Sequence, residues 1–141
     1  MPVRHTEKLP ARPRIVLPAR EHARLLQIAE DAFERDVPVA GYLVEELSRA
    51  HLVPDDACSP HVVRMGSRVT YSDAATGRQH TVTLVYPREA DIDNNRISIL
   101  TPIGAALIGM SPAQSIDWPT PDGGTSQLTV LSVSQAEPAN T

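Results

Sequence analysis

The chain has little cysteine and no excess of basic residues, and each absence excludes a class of protein. Cys58 is the only cysteine among 141 residues, so an intramolecular disulfide is impossible. A tetrahedral zinc site would need further nitrogen or sulfur ligands from elsewhere in the chain. The formal net charge is −4, which argues against a basic groove that neutralises the phosphates of nucleic acid. We therefore expect no metal or other cofactor and no direct sequence-specific binding of nucleic acid.

Long apolar runs are also missing. No stretch approaches the ~20 apolar residues that span a bilayer. The first residues, MPVRHTEKLP, lack the apolar core of a secretory signal. These features predict a cytoplasmic protein that makes no membrane contact.

Catalytic motifs and aromatic rings are scarce. The sequence contains neither a phosphate-cradling G-x-x-x-x-G-K-[ST] loop nor a G-x-S-x-G nucleophile elbow. The aromatic residues are Phe33, Trp118 and three tyrosines, which leaves few rings for the wall of a ligand pocket. Trp118 is expected in the core or on the sheet, and Tyr71 and Tyr86 are expected to face that core from strands. We predict that the chain is not an enzyme.

Two amphipathic helices are predicted in the first part of the chain. The proline-containing residues 1–13 are predicted to be a disordered lead, followed by a brief extended piece over residues 14–17. Leu25, Ala29 and Ala32 lie on one apolar stripe, which predicts a first helix over residues 18–35. A break at residues 36–38 precedes a second helix whose apolar face includes Leu43 and Leu47. Residues 14–52 should form a short antiparallel helical hairpin, a coiled coil, and residues 53–60 a linker.

Residues 61–134 change to the period of two that is typical of strands. Val69 and Tyr71 alternate with polar residues, as do Val82 and Leu84, and residues 73–77 supply the turn between them. Residues 102–108 are predicted to be a short helix that ends at Gly109. Three further strands are marked by apolar residues: Ile97 and Ile99; Ile116 and Trp118; and Leu128, Val130 and Val133. A glycine-containing turn at Pro121–Gly124 precedes the last of these strands. The predicted fold class is α+β, an antiparallel sheet with one short helix across it, followed by a loose tail at residues 135–141.

Four sequence pieces occur in an order found in a known family. GSRVTYSD, TLVYP, ISILTPIGAALIGM and SIDWPTPDGG resemble the carboxy-terminal domain of the bacterial Gre-type transcription elongation factors, the GreA/GreB family, and most closely its Rnk-type branch. The resemblance extends over nearly the whole chain and is most specific from His61 to Val133. It implies an FKBP-like domain that docks on RNA polymerase at the rim of the secondary channel, with the hairpin pointing into that channel. We expect the chain to act as a monomer.

The resemblance also implies a docking loop. In the family, this loop is a small polar residue followed by proline and an aliphatic residue, and it corresponds here to Thr101, Pro102 and Ile103. The residues themselves also fit an ordinary helix start, in which Thr101 caps, Pro102 takes the first position and Ile103 packs inward. The two interpretations are compatible.

A second candidate site is the acidic tip of the hairpin, formed by Glu30, Asp31, Glu34 and Asp36. In Gre factors, acidic residues at the tip of a longer hairpin help to hold the second catalytic magnesium ion of the polymerase. Carboxylate oxygens suit that ion, and Asp31 and Glu34 are spaced to lie on one side of a helix. The alternative is a solvated helix end. The hairpin is predicted to be shorter than in Gre factors, so its tip would extend less far toward the active site of the polymerase.

Three functions follow from these features. The first is a regulator that binds RNA polymerase and competes with Gre factors without stimulating cleavage of the transcript. The second is an active transcript cleavage factor. The third is an FKBP-like prolyl isomerase or chaperone, although a fold alone does not establish such an activity.

Overall fold

The computed structural model describes residues 13–119 and 124–135 of the chain. Most of the predicted lead, the turn at residues 121–123 and the tail after residue 135 lie outside the described residues. The α+β fold class is confirmed. The helices and strands, in chain order, are β1 (Val16–Pro18), α1 (Ala19–Glu34), α2 (Ala40–Ser48), β2 (His51–Val53), β3 (Arg68–Asp73), β4 (Arg78–Val85), β5 (Arg96–Ser98), α3 (Pro102–Leu107), β6 (Ser115–Pro119) and β7 (Thr125–Ser134).

The predicted helical hairpin is formed by α1 and α2, and it is short. The 16 residues of α1 extend over about 24 Å, and the 9 residues of α2 over about 14 Å. Asp36 has φ +60°, and the Val37 N–H donates to the Ala32 carbonyl oxygen at 3.0 Å, so the chain reverses within a few residues. Neither helix, nor any other in the described part of the chain, is long and apolar enough to cross a membrane.

The apolar faces of the hairpin share one core with the sheet domain. Leu25 on α1 and Leu43 and Leu47 on α2 are buried in the same cluster as Leu84 and Leu107 of the sheet domain. Removing such surface from water stabilises the fold by roughly 25 cal/mol per Å². The hairpin is therefore packed on the sheet domain through these residues, and the residues of its tip, 33–36, are exposed.

A parallel two-stranded ribbon closes the base of the hairpin. Val16 of β1 pairs with His51 of β2, and the His51 N–H donates to the Ile15 carbonyl oxygen at 2.8 Å. The brief extended piece was predicted, but the structure differs at residues 51–53, which form a strand where the sequence suggested the end of the hairpin and a linker. A three-residue strand has no measurable periodicity, and it exists because β1 offers it a partner.

The five-stranded sheet has the order β5-β4-β3-β7-β6. The pairings among β4, β3, β7 and β6 are antiparallel, as predicted, but β5 lies parallel to β4, with Leu84 opposite Ile97. The prediction of an antiparallel sheet is therefore wrong at this edge. Residues 86–95 contain two short 3-10 turns and end with Asn95 at φ +57°, so the chain returns along the edge before β5 begins.

A β-bulge in β7 explains an irregular apolar spacing. Val130 pairs with Tyr71, but Ser132 pairs with Thr70, so Leu131 is an extra residue in the ladder. The buried positions change from even to odd numbers at this point, from Val130 to Val133, and Leu131 remains 40% exposed.

Gly109 connects three segments at the end of α3. Its φ is +80°, its N–H donates to the Val63 carbonyl oxygen at 2.9 Å, and its own carbonyl accepts from the Val16 N–H at 3.0 Å. A Cβ atom on Gly109 would lie 2.7 Å from the Cβ of Ile15, which is below any normal contact distance. The position therefore requires glycine both for its conformation and for space.

We predict that Gly109→Ala is much more destabilising than Gly77→Ala. Gly77 also has a positive φ, of +73°, but nothing lies within 4 Å of a Cβ built there. The strained conformation alone should cost about 1–2 kcal/mol at Gly77, whereas the added contact with Ile15 should bring the loss at Gly109 to about 2–5 kcal/mol. Urea denaturation measures both changes in the free energy of unfolding. Equal losses would contradict the tight contact at Gly109.

Candidate functional site

The first turn of α3 is held rigidly by Thr101. The Thr101 Oγ1 accepts a hydrogen bond from the Gly104 N–H at 3.0 Å and donates one to the Ser98 carbonyl at 2.7 Å. Gly104 itself is enclosed, because a Cβ there would collide with the same Ser98 carbonyl oxygen. Thr101 is therefore the predicted helix cap, and α3 is fixed against the end of β5.

Pro102 and Ile103 differ in their exposure. Pro102 occupies the start of the helix and is exposed, whereas Ile103 is half-buried and packs against the core. The ordinary structural role is confirmed for all three residues. The same arrangement leaves a short apolar surface at Pro102 with a fixed conformation, which is a suitable contact for a partner because little freedom is lost on binding.

The acidic tip is divided between two surfaces. Asp31 accepts a hydrogen bond from the Arg35 Nε at 3.2 Å, and both side chains are exposed. Glu30 and Glu34 instead line a hollow of about 570 Å³ beside Phe33, on the side that faces α2. Asp31 and Glu34 are predicted to lie on one side of the helix; Asp31 is paired with Arg35, whereas Glu34 lines the hollow on the α2 side.

The carboxylates of the tip do not form a metal site by themselves. Within the described residues, no group of three or more His, Cys, Asp or Glu side chains is arranged to hold a metal ion. Asp36 lies beyond the helix, in the exposed connection. A magnesium ion bound at this tip would need most of its oxygen ligands from another molecule.

A groove that sequence reasoning missed lies between α1 and the turn after β4. We call it the arginine groove, after Arg24, Arg35 and Arg88 at its exposed rim, and its volume is about 730 Å³. The Arg24 guanidinium carbon lies 4.5 Å from the centroid of the Tyr86 ring. Tyr86 packs against the core, as predicted, but it follows the end of β4 instead of lying on a strand, and its half-buried ring also lines this groove.

Part of this groove was visible in the sequence. Arg24, Gln27, Asp31 and Arg35 recur at the spacing of one helix face. The opposite wall, residues 86–89, comes from a distant turn, and only the tertiary structure shows that it lies beside α1.

Glu21 joins the first turn of α1 to the segment that precedes β3. Its Oε1 accepts the Met65 N–H at 3.1 Å and lies 3.9 Å from the Arg64 Nε. Burial raises the pKa of the Glu21 carboxyl, and the Met65 hydrogen bond and Arg64 oppose this rise only in part. This contact helps to orient the hairpin relative to the sheet.

The aromatic rings are dispersed. Trp118 and Tyr71 are buried in the core, as predicted, while Phe33 is 60% exposed on the hairpin. Tyr86 lies in the arginine groove under Arg24. This distribution does not favour a prolyl isomerase, because its pocket would be expected to gather several rings around the substrate.

A helical hairpin fastened to a sheet domain with one crossing helix is the architecture of a Gre-like transcription factor. The family model described as "Transcription elongation factor, GreA/GreB, C-term" matches residues 58–135. The chain belongs to the GreA/GreB family of transcription elongation factors.

The relatives include short regulators and full elongation factors. The regulator of nucleoside diphosphate kinase of Escherichia coli (strain K12) is 33% identical over 121 residues, covering 86% of this chain and 89% of the relative. The transcription elongation factor GreA of Rhodospirillum rubrum is 36% identical over 119 residues, covering 81% and 76%. Among solved structures, the elongation factor GreA/GreB from Nitrosomonas europaea superimposes with a TM-score of 0.68 at 32% identity, covering 87% of this chain and 99% of that one.

We predict that Glu21→Gln stabilises the protein more at neutral than at acid pH. The pKa of Glu21 is raised in the folded state above its ordinary value of 4.5, so its protonated form favours folding. That contribution is complete below the unfolded-state pKa and is lost as the pH rises through the folded-state pKa. Glutamine keeps an oxygen for the Met65 N–H without the charge. The gain in the free energy of unfolding should therefore grow between about pH 4 and about pH 7.

Denaturation at each pH gives the comparison. Glu30→Gln, which removes an exposed carboxylate from the same helix, controls for the general effect of charge. A gain from Glu21→Gln that shrinks with rising pH would contradict the role assigned to burial.

Proposed function

We propose that this protein binds RNA polymerase as a monomer through the first turn of α3, at Thr101, Pro102 and Ile103. Pro102 carries the contact, because the cap formed by Thr101 holds it exposed in one conformation. The family resemblance implies docking at the same three positions. A rigid apolar contact of this kind suits a protein interface, because the first turn of α3 is already ordered and loses little conformational entropy on binding.

The proposed place of binding is the rim of the secondary channel. The hairpin shares a core with the sheet domain, so a partner that holds α3 also sets the direction of α1. The hairpin would then occupy the channel entrance, and the protein would compete with Gre factors for this position. The acidic residues of the tip would face the channel wall.

We further propose that binding does not stimulate transcript cleavage. The arm is short, with α1 about 24 Å long over 16 residues. Asp31 is paired with Arg35, and Glu34 lies on another surface. A carboxylate that is engaged in an ion pair is less available to complete a magnesium site.

Pro102→Asp should weaken binding to core RNA polymerase by about tenfold or more, equivalent to ~1.4 kcal/mol, because a charge replaces the exposed apolar contact. Pro54→Asp is the matched control, since Pro54 is also exposed and starts a short helical turn, but on another part of the surface. Co-purification and a binding titration with core polymerase measure both. If Pro102→Asp binds as tightly as the parent protein, α3 is not the docking site.

An active cleavage factor is the second candidate function. It is favoured by Glu30 and Glu34, which are exposed one helical turn apart at the end of α1. Addition of saturating protein to a backtracked transcription complex should leave the RNA length unchanged. Shortened RNA that disappears with Glu30→Gln and Glu34→Gln would establish the cleavage function and overturn our proposal.

A further inference from the structure

We propose that the arginine groove binds an acidic segment of a protein partner, one in which carboxylates are spaced by apolar residues. None of the docking residues proposed above lines the groove, and the occupant of the groove is inferred from the charges and shape of the groove itself. The inference does not depend on RNA polymerase being the partner. The volume of the groove, about 730 Å³, falls in the size range of ligand-binding pockets, roughly 300–1,000 Å³.

The base of the groove is apolar and its rim is charged. Ile28, Leu100 and Tyr86 are half-buried, whereas Arg24 and Arg88 are exposed on opposite walls. An occupant with apolar side chains would remove Ile28 and Leu100 from water. Its polar groups would meet the rim on both sides.

Two of the three arginines have no carboxylate partner among the residues that the structure describes. Arg35 is paired with Asp31, but no described carboxylate forms an ion pair with Arg24 or Arg88. Stacking on Tyr86 holds the Arg24 guanidinium beside the groove, and a stacked guanidinium keeps its N–H groups for hydrogen bonds. The guanidinium groups of Arg24 and Arg88 are therefore each able to form two hydrogen bonds to a carboxylate.

Arginines near the hairpin base behave differently. Arg49 pairs with the buried Glu46 at 2.6 Å. Arg20 pairs with Asp55 at 3.3 Å, and Arg64 lies near Glu21. Arg24 and Arg88 line one groove and lack ion pairs of this kind among the described residues.

The rim also selects between kinds of anion. Asp31 and Glu89 line the same groove as the arginines. A continuous polyanion such as nucleic acid would bring phosphates close to these two carboxylates. A polypeptide is able to place its carboxylates opposite Arg24 and Arg88 and its apolar side chains between them, which satisfies the rim without this repulsion.

The test uses a fluorescein-labelled synthetic peptide of alternating glutamate and leucine, and the full-length protein without polymerase. Fluorescence anisotropy at low salt measures the affinity. The double variant R24E/R88E should bind about tenfold or more weakly, because two attractive charges become repulsive. R68E/R78E is the control, since it changes the same charge at exposed positions on the sheet and should retain the parent affinity.

Three results would overturn the inference. They are no measurable binding of the peptide by the parent protein, equal weakening in the two double variants, and binding of a single-stranded RNA of the same net charge at least as tightly through Arg24 and Arg88. Circular dichroism confirms folding, and the single variant R88E, in an exposed turn, provides the same comparison if R24E/R88E unfolds. Pro102→Asp should bind the peptide like the parent protein, which separates this inference from the proposed docking at α3.

Discussion

The arrangement of this protein depends on the close approach of backbone segments at Gly109. Its N–H and carbonyl are hydrogen-bonded to two different segments, those of Val63 and Val16, and its missing side chain leaves the space that Ile15 occupies. The hydrogen bond to Val16 holds β1, and β1 in turn pairs with β2 to close the hairpin. A side chain at position 109 would collide with Ile15, next to β1.

This attachment gives the surface its functional geometry. Because the hairpin and the sheet share one core, α1 lies beside the turn after β4, and the arginine groove exists only through that contact. The same packing fixes the direction of the acidic tip relative to Thr101 at the start of α3. A contact made at α3 would therefore also set the position of the hairpin. Glu21, bonded to the Met65 N–H, adds a polar contact at the same junction.

The regular elements could be predicted because each has a local signal. Apolar residues three and four positions apart indicated α1 and α2, and alternation of apolar and polar residues indicated β3 and β4. The Thr-Pro pair at the start and a glycine after the end indicated α3. The candidate docking residues were found through this last signal together with the family resemblance. The strand at residues 51–53, the parallel direction of β5 and the bulge at Leu131 had no such signal, because each is defined by a partner strand distant in sequence.

By itself, the sequence determined the fold class, the helical hairpin, the capped start of α3 and membership of the Gre family, since these follow from periodicity, turn chemistry and ordered motifs. Only the tertiary structure decided which charged residues act together. It placed Asp31 in the arginine groove and Glu34 in the hollow beside Phe33, and it brought Arg24 beside Tyr86 and Arg88, more than sixty positions away. Helical spacing places side chains around an axis, but the surface that each of them faces is set by what packs against that axis.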